Sequence, residues 1–158
     1  TSVLWLPFLE EAYNRFGDKM RKTARENAFK LIFERLINGS ENKLSYAAIT
    51  AAMNDDDKQF LDALLKGVLS EYDFLTEVIG GYASGYAIDR IYKIDLAILL
   101  ISSYEILFME DVPVKVSANE AVELAKTYST DNSPAFINGI IASVIKNKES
   151  IINERNSD

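Results

Sequence analysis

The chain has 158 residues, a length that fits one domain with a sizeable buried core. It contains no cysteine and no histidine, which excludes disulfides, thiolate zinc sites and Ser-His or Cys-His catalysis, so we expect neither an enzyme nor a bound cofactor. The net charge of -7 disfavours nucleic-acid binding unless a local basic patch supplies the phosphate contacts. No apolar run approaches the roughly 18 residues of a membrane span, so no membrane segment is expected.

Residues 1–19 contain a predicted short helix, with Pro7 near its start and Gly17 past its end. Its apolar residues fall on one face at helical spacing: Trp5, Leu9, Ala12, Tyr13 and Phe16. We interpret 1–19 as upstream translated sequence or the remnant of a tag. The alternative is an added helix that covers a functional groove or a neighbouring subunit.

The periodicity of apolar residues predicts an all-α chain. The first main helix runs from about Met20 to Asn38, and Gly39 closes it in the left-handed conformation. A shorter helix covers about 44–53. Asn54 then caps a helix whose acidic first turn suits the helix dipole. The acidic run at 55–57 lacks the spacing of a calcium loop, so no metal site is expected.

A further segment, about 73–79, is expected to continue that helix after a bend. Glycines mark a predicted boundary between subdomains of about 20–80 and 86–148: Gly80, Gly81 and Gly85. An apolar helix at about 91–109 is predicted to be the buried centre of the bundle.

Two helix-start patterns follow that central helix. Ser117 and Glu120 form a capping-box pattern, and Ser133 is the predicted N-cap of a helix with Pro134 in its first position. Residues 149–158 are predicted to be a C-terminal tail.

The most specific pattern lies between Asp111 and Ile141, which reads DVPVKVSANEAVELAKTYSTDNSPAFINGII. A second run begins at Tyr86, contains R-I-x-x-I-D-x-A-I-L and ends in Y-E-I. Both resemble the NusB family of transcription antitermination factors, which carries P-x-K-V-x-x-N-E-A-V-E-L-A-K followed by F-V-N-G. The resemblance covers Met20 to about Lys148. It implies a NusB-like bundle of about seven helices in two packed subdomains, with 1–19 as an extra N-terminal helical segment.

Basic residues are concentrated at the start of the first main helix: Lys19, Arg21, Lys22, Arg25 and Lys30. We name these five residues the basic cluster. Arginine on a helix suits phosphate, because its guanidinium offers paired donors, but a solvated helix start is the alternative. The resemblance implies RNA binding through Arg21, Lys22 and Arg25, although Thr23 stands where the family often has a further arginine.

The resemblance also implies that the loop between the last two helices lies beside the basic cluster and helps to bind RNA. Lys126, Asn132 and Asn138 are the residues it assigns there, and Tyr128 is suited to stacking. The alternative for Asn138 is an internal amide bonded to a neighbouring helix, with Gly139 allowing the close approach.

A protein partner is implied as well, namely the small-subunit ribosomal protein that acts as NusE. Phe33 and Ile37 are offset from the core stripe of their helix, and Asp89 and Asp95 align with acidic family positions near that partner. Carboxylates would steer a basic ribosomal protein toward this face. The alternative is that the two apolar residues belong to the core and the two carboxylates are merely solvated.

The function implied by the resemblance is non-enzymatic and cytoplasmic. The protein would pair with NusE, bind boxA-type single-stranded RNA of ribosomal operons, and join the RNA polymerase antitermination complex to suppress premature termination. Two alternatives remain: a protein-interaction module with little RNA affinity of its own, and a separated NusB-like domain of a ribosomal-RNA methyltransferase. Homodimer formation also remains open.

Overall fold

The computed structural model describes residues 6–157, with side chains from residue 21 onward. Within that range the chain is helical and has no strand, which confirms the predicted all-α class. The α helices are α1 (Leu6–Asn38), α2 (Lys43–Thr50), α3 (Asp55–Ser70), α4 (Tyr72–Tyr82), α5 (Lys93–Phe108), α6 (Val114–Tyr128), α7 (Ser133–Lys146) and α8 (Lys148–Ser157). A short 3₁₀ helix, Ile88–Arg90, precedes α5. None of these helices is long and apolar enough to cross a membrane.

Local capping chemistry explains where the first helices begin and end. Gly39 has φ 74° and follows the last residue of α1, as predicted. The side chain of Asn54 accepts a hydrogen bond from the N–H of Asp57 at 2.8 Å, which confirms it as the N-cap of α3. Asn42 caps α2 in the same way, so that helix begins one residue earlier than predicted.

Helix α1 continues through Gly17, where the sequence predicted the end of a separate short helix. A glycine inside a helix costs only about 1 kcal/mol relative to alanine, which is too little to interrupt an otherwise favourable helix. The apolar face predicted within 1–19 lies outside the described side chains.

The chain leaves α4 slightly later than predicted. Gly80 and Gly81 lie inside α4, which continues to Tyr82, and neither has a positive φ. The backbone turns instead at Gly85, whose φ is 79°. Glycine allows a turn without requiring one, and of these three glycines only Gly85 adopts the conformation that other residues avoid.

The predicted capping box is wrong. Helix α6 already begins at Val114, so Ser117 lies inside the helix and is buried. Its hydroxyl donates to the carboxylate of Glu105 at 3.3 Å, and the Glu120 side chain faces Lys22 instead of the helix start. A buried carboxylate on a neighbouring helix therefore takes the hydroxyl that the local pattern assigned to capping.

Helix α7 begins at Ser133 with Pro134 in its first turn, close to the prediction. Asn132, however, occupies the cap position, and the buried Ser133 hydroxyl donates to Asp95 at 2.9 Å. The first turn of α7 is thus tied to the first turn of α5.

Helix α8 occupies the residues predicted to be a tail. Its Ile151 is buried, and Arg155 donates to Glu71 at 2.5 Å. The Arg155 guanidinium also lies 5.1 Å from the Phe74 ring centroid and 5.0 Å from that of Phe108. These contacts explain why a segment of mostly polar residues packs on the bundle.

Helix α5 is the buried centre of the bundle, as predicted. Residues from Leu96 to Ile101 are each at most 1% exposed. The helix packs against α1, α3, α4, α6, α7 and α8. Because α5 touches most of the other helices, groups at its first and last turns can fix the positions of loops on the surface.

Candidate nucleic-acid interface

One exposed part of the basic cluster is the turn of α1 that contains Arg21 and Lys22. Arg21 donates to the carboxylate of Asp111 at 3.2 Å, and both side chains are substantially exposed. The Lys22 ammonium lies 4.0 Å from the Glu120 carboxylate. These ion pairs are in contact with water, so each contributes only about 0–1 kcal/mol and can be exchanged for another anion.

Arg25 lies beneath this turn and is only 2% exposed. Its Nε donates to Glu105 Oε2 at 2.8 Å and its Nη2 to Glu105 Oε1 at 2.6 Å, a paired interaction between two buried side chains. The direct RNA contact that the resemblance implied for Arg25 does not fit this burial, because the guanidinium already faces a carboxylate in the core. Arg25 instead fixes α1 against α5, and Ser117 of α6 donates to the same Glu105.

The residues between α6 and α7, 129–132, form a short loop that we name the α6–α7 loop. It lies beside α1, because Tyr128 at the end of α6 donates a hydrogen bond to Glu26 and its ring lies 5.2 Å from that of Phe29. Lys30 of the basic cluster pairs with the same Glu26 at 3.7 Å. The hydrogen bond to Glu26, followed by desolvation, raises the pKa of Tyr128. The structure therefore brings the loop and the basic cluster together.

Lys126, Asn132 and Asn138 all have exposed side chains. Lys126 pairs with Glu123 at 3.6 Å, an exposed pair one turn apart. The alternative for Asn138, an internal amide, is wrong, since the residue is on the surface. Gly139 does not provide a close approach either: a Cβ built there would meet nothing within 4 Å.

Two aromatic residues extend the surface next to Asn132. The rings of Tyr86 and Phe136 meet edge to face with centroids 5.6 Å apart, and Tyr86 is 54% exposed. With Arg90 and Tyr92 they line a surface cavity of about 320 Å³. The sequence singled out these residues only as family positions or not at all, because their proximity depends on the contact of Tyr86, in the segment before α5, with Phe136 on α7.

The residues predicted to bind a protein partner differ in how far they are exposed. Phe33 is half-buried and stacks on Phe29 with ring centroids 6.3 Å apart, whereas Ile37 is 58% exposed. Asp89 is exposed, but Asp95 is 3% exposed and bonded to serine hydroxyls. A direct contact between Asp95 and a partner does not fit this burial.

Comparison with known proteins identifies the family. The model of the NusB family matches residues 22–146. The chain belongs to the NusB family. All the site residues that the sequence predicted, apart from Arg21, fall inside the matched region.

Relatives in the NusB family cover most of the chain. The transcription antitermination protein NusB of Clostridium novyi is 42% identical over 130 residues, which are 80% of this chain and 98% of that protein. The NusB of Bacillus pumilus is 38% identical over 125 residues, covering 78% of this chain and 93% of that protein.

Solved structures share the fold. T. maritima NusB matches with a TM-score of 0.77 and 26% identity, covering 84% of this chain and 96% of that one. A structure of antitermination factors NusB and NusE in complex with dsRNA matches with a TM-score of 0.74, covering 81% of this chain and 97% of that one. Its sequence identity of 19% supports the likeness of fold alone.

Proposed function

We propose that this protein is a transcription antitermination factor without enzymatic activity that acts in the cytoplasm. It pairs with a NusE-type ribosomal protein, binds boxA-type single-stranded RNA of ribosomal operons and joins the RNA polymerase antitermination complex. Membership of the NusB family supports this function, since relatives that cover most of the chain are named transcription antitermination proteins.

One observation carries the RNA-binding part of the proposal: α1 contacts the end of α6, where the α6–α7 loop begins, one to two turns after Arg21 and Lys22. The Tyr128–Glu26 hydrogen bond and the packing of Tyr128 on Phe29 hold the two segments together. Arg21 and Lys22 provide positive charge for phosphates. Single-stranded RNA also needs donors, acceptors and stacking surfaces for its bases, and the neighbouring loop region offers these.

The groups suited to bases lie in the α6–α7 loop, on α7 and in the segment before α5. Asn132 and Asn138 have exposed amides that can bond base edges, and the exposed face of Tyr86 beside Phe136 can stack a base. Lys126 adds a charge at the end of α6. We propose these residues, with Arg21 and Lys22, as the RNA-binding surface, and we assign Arg25 a supporting role below it.

RNA affinity of the chain alone is expected to be weak. Phosphates must replace the carboxylates of Asp111 and Glu120, which already pair with Arg21 and Lys22. The net charge of -7 repels RNA at longer range. The same charge attracts a basic ribosomal protein, so a heterodimer with such a partner would carry the positive charge that this chain lacks.

The partner-binding surface that we propose includes Phe33, Ile37 and Asp89. Ile37 is an exposed apolar side chain next to the half-buried Phe33 on α1. Ile37→Asp should weaken pairing with NusE, measured by isothermal titration calorimetry, and should leave the thermal unfolding midpoint unchanged because the side chain is mostly in water. Unaltered pairing would remove Ile37 from the proposed surface.

The RNA-binding proposal is tested by fluorescence anisotropy of a boxA RNA, titrated with the chain alone and with NusE at several salt concentrations. Arg21→Ala/Lys22→Ala should weaken binding and reduce the salt slope by roughly 1.4, at ~0.7 per phosphate contact on a single strand. The matched control is Lys43→Ala/Lys66→Ala, which removes the same charge toward the opposite end of α1, where Lys66, Asn42 and Arg35 line one cavity.

Equal losses in the two double variants would mean that net charge alone governs binding, and no loss in either would reject the RNA surface.

A second function is favoured by one observation on the basic cluster. Each of its described cations is already paired with a carboxylate. This second function is a protein-interaction module with little RNA affinity. Tight NusE binding without boxA selectivity, alone or in the heterodimer, would identify it.

A further inference from the structure

A buried carboxylate lies under the α6–α7 loop. Asp95 belongs to the first turn of α5, and its two oxygens accept from two hydroxyls: Ser129 at 2.5 Å on Oδ1 and Ser133 at 2.9 Å on Oδ2. Ser133 is 2% exposed, and within the described part of the chain Asp95 has no ion-pair partner. Its charge is therefore stabilised by hydroxyl donors and by the N-terminal end of the α5 dipole.

Proton counting gives the network a direction. Ser129 and Ser133 each have one hydroxyl proton, and both protons point to Asp95. The 2.8 Å approach of the two serine oxygens is then a consequence of their shared acceptor. Thr130, whose oxygen lies 2.8 Å from that of Ser133, donates to Ser133. Three hydroxyls from a five-residue stretch thus depend on one carboxylate.

This network fixes the loop relative to the most buried helix of the protein. The other constraints on the loop are the Tyr128–Glu26 hydrogen bond at its start and backbone hydrogen bonds at its ends, among them Ser133 N–H to the Thr130 carbonyl at 3.1 Å. Asn132 lies within the anchored stretch, and Tyr128 immediately precedes it. Charge-assisted bonds in a buried site are strong enough to select one loop conformation.

We propose that Asp95 is a positioning residue that holds the α6–α7 loop in its RNA-binding conformation. It acts through Ser129 and Ser133 and touches neither RNA nor a protein partner. This inference rests on the proposed function, since it concerns the same RNA surface.

The test compares Asp95→Asn with Asp73→Asn, which removes one exposed carboxylate on α4 and serves as the charge-matched control. Removing a negative charge should by itself favour RNA binding. If the loop adopts its binding conformation about one-tenth of the time in Asp95→Asn, the boxA affinity falls about tenfold, opposite in sign to the charge effect. Asp73→Asn should bind as tightly as the wild type or slightly more tightly.

Two further measurements separate positioning from loss of structure and from partner contact. Amide hydrogen exchange should accelerate at 129–133 in Asp95→Asn and remain slow at 96–101 in α5, and NusE pairing without RNA should be unchanged. Ser129→Ala/Ser133→Ala, which keeps the net charge, should reproduce the loss of RNA affinity. This double variant also keeps the test decisive if Asp95→Asn fails to fold.

Unchanged RNA affinity in both variants would overturn the proposal, as would weaker NusE pairing with unaltered loop exchange. The wild type provides the separate check on the function itself. If the wild type binds no boxA RNA with or without NusE, the proposed function fails and the positioning role fails with it. If the wild type binds and the variants bind equally well, only the positioning role fails.

Discussion

Gly67 shows how a single missing side chain allows two helices of this bundle to approach. A Cβ built at Gly67 on α3 would lie 1.9 Å from the ring of Tyr104 on α5. Gly67→Ala must push the ring or the helix aside, and such overpacking costs about 1–3 kcal/mol. Gly81→Ala is the matched control, because Gly81 also lies inside a helix, α4, and a Cβ added there meets no atom within 4 Å. Urea denaturation should show lower stability for Gly67→Ala only, and equal midpoints would contradict this.

The Arg25–Glu105 pair is a second case in which individual side chains determine stability. Removing one partner leaves a buried charge uncompensated, so Arg25→Met should cost about 3–5 kcal/mol of unfolding free energy. The double variant Arg25→Met/Glu105→Leu leaves no unpaired charge and should recover most of that loss. Chemical denaturation of both single variants and the double variant measures the coupling. Additive losses would show that the two side chains contribute independently, against the bidentate geometry seen here.

At the scale of elements, Tyr128 connects the end of α6 to α1. Its pKa is raised above the ordinary tyrosine value of 10.0, first by its hydrogen bond to Glu26. The folded protein therefore retains this proton more tightly than the unfolded chain. The contribution to stability is complete below pH 10.0 and is lost as the pH rises through the higher folded pKa.

Tyr128→Phe should lower stability by about 1 kcal/mol at pH 8, the usual value for a net hydrogen bond, and should reduce the decline above pH 10. Tyr46 is the comparison, because its hydrogen bond to Asp62 at 2.7 Å also raises its pKa. Denaturant midpoints from pH 8 to pH 11 measure both effects. In Tyr46→Phe the amides of the α6–α7 loop should keep their exchange protection, whereas in Tyr128→Phe they should lose it. The same alkaline slope in Tyr128→Phe and wild type would rule out the tether.

Elements whose ends depend on neighbouring residues were predictable from the sequence. Asn54 caps its own helix and Gly39 ends its own, so local chemistry suffices at both positions. The capping box at Ser117 failed because a more distant group, Glu105, takes its hydroxyl. The gain from bonding a buried carboxylate exceeds the gain from capping a solvated helix end. Local patterns cannot reveal such competition.

Bonds to residues distant in the sequence also limited the prediction of the candidate site. Arg25 and Asp95 both looked like surface charges in the sequence, yet their partners lie 80 and 34 to 38 residues away and remove them from the surface. The proximity of the basic cluster and the loop came from family resemblance, since no periodicity relates Tyr128 to Glu26 across 102 residues. Residue type indicated the chemistry, and only the packing of helices showed which groups remain exposed.

At the scale of the whole molecule, a net charge of -7 coexists with one basic turn near the start of the matched domain. Long-range repulsion slows the approach of RNA, whereas the short-range contacts at Arg21 and Lys22 can still form. Binding of a basic partner protein changes the long-range electrostatic force on RNA from repulsion to attraction. The heterodimer should therefore associate with RNA faster than the chain alone, and its advantage should shrink as salt rises.

The role of residues 1–19 can be tested by deletion. We propose that the functional domain is 20–148, with subdomains of about 20–80 and 86–148. The family match to 22–146 supports these limits. A chain that begins at Met20 should keep its unfolding midpoint, because it retains the whole region that the family model matches, 22–146. Its shortened α1 would place the positive end of the helix dipole beside Arg21, which favours RNA binding slightly, and the loss of Lys19 from the basic cluster opposes this effect.

Sedimentation and boxA anisotropy of the full and shortened chains decide between a leader and a helix with a role. Equal masses and equal or tighter RNA binding in the shortened chain agree with a leader that the domain does not need. A smaller assembly after deletion would show that 1–19 covers a neighbouring subunit. A gain in affinity well beyond the few-fold effect of one helix terminus would indicate that 1–19 covers the RNA surface, because a terminal dipole contributes only about 0.3–1 kcal/mol.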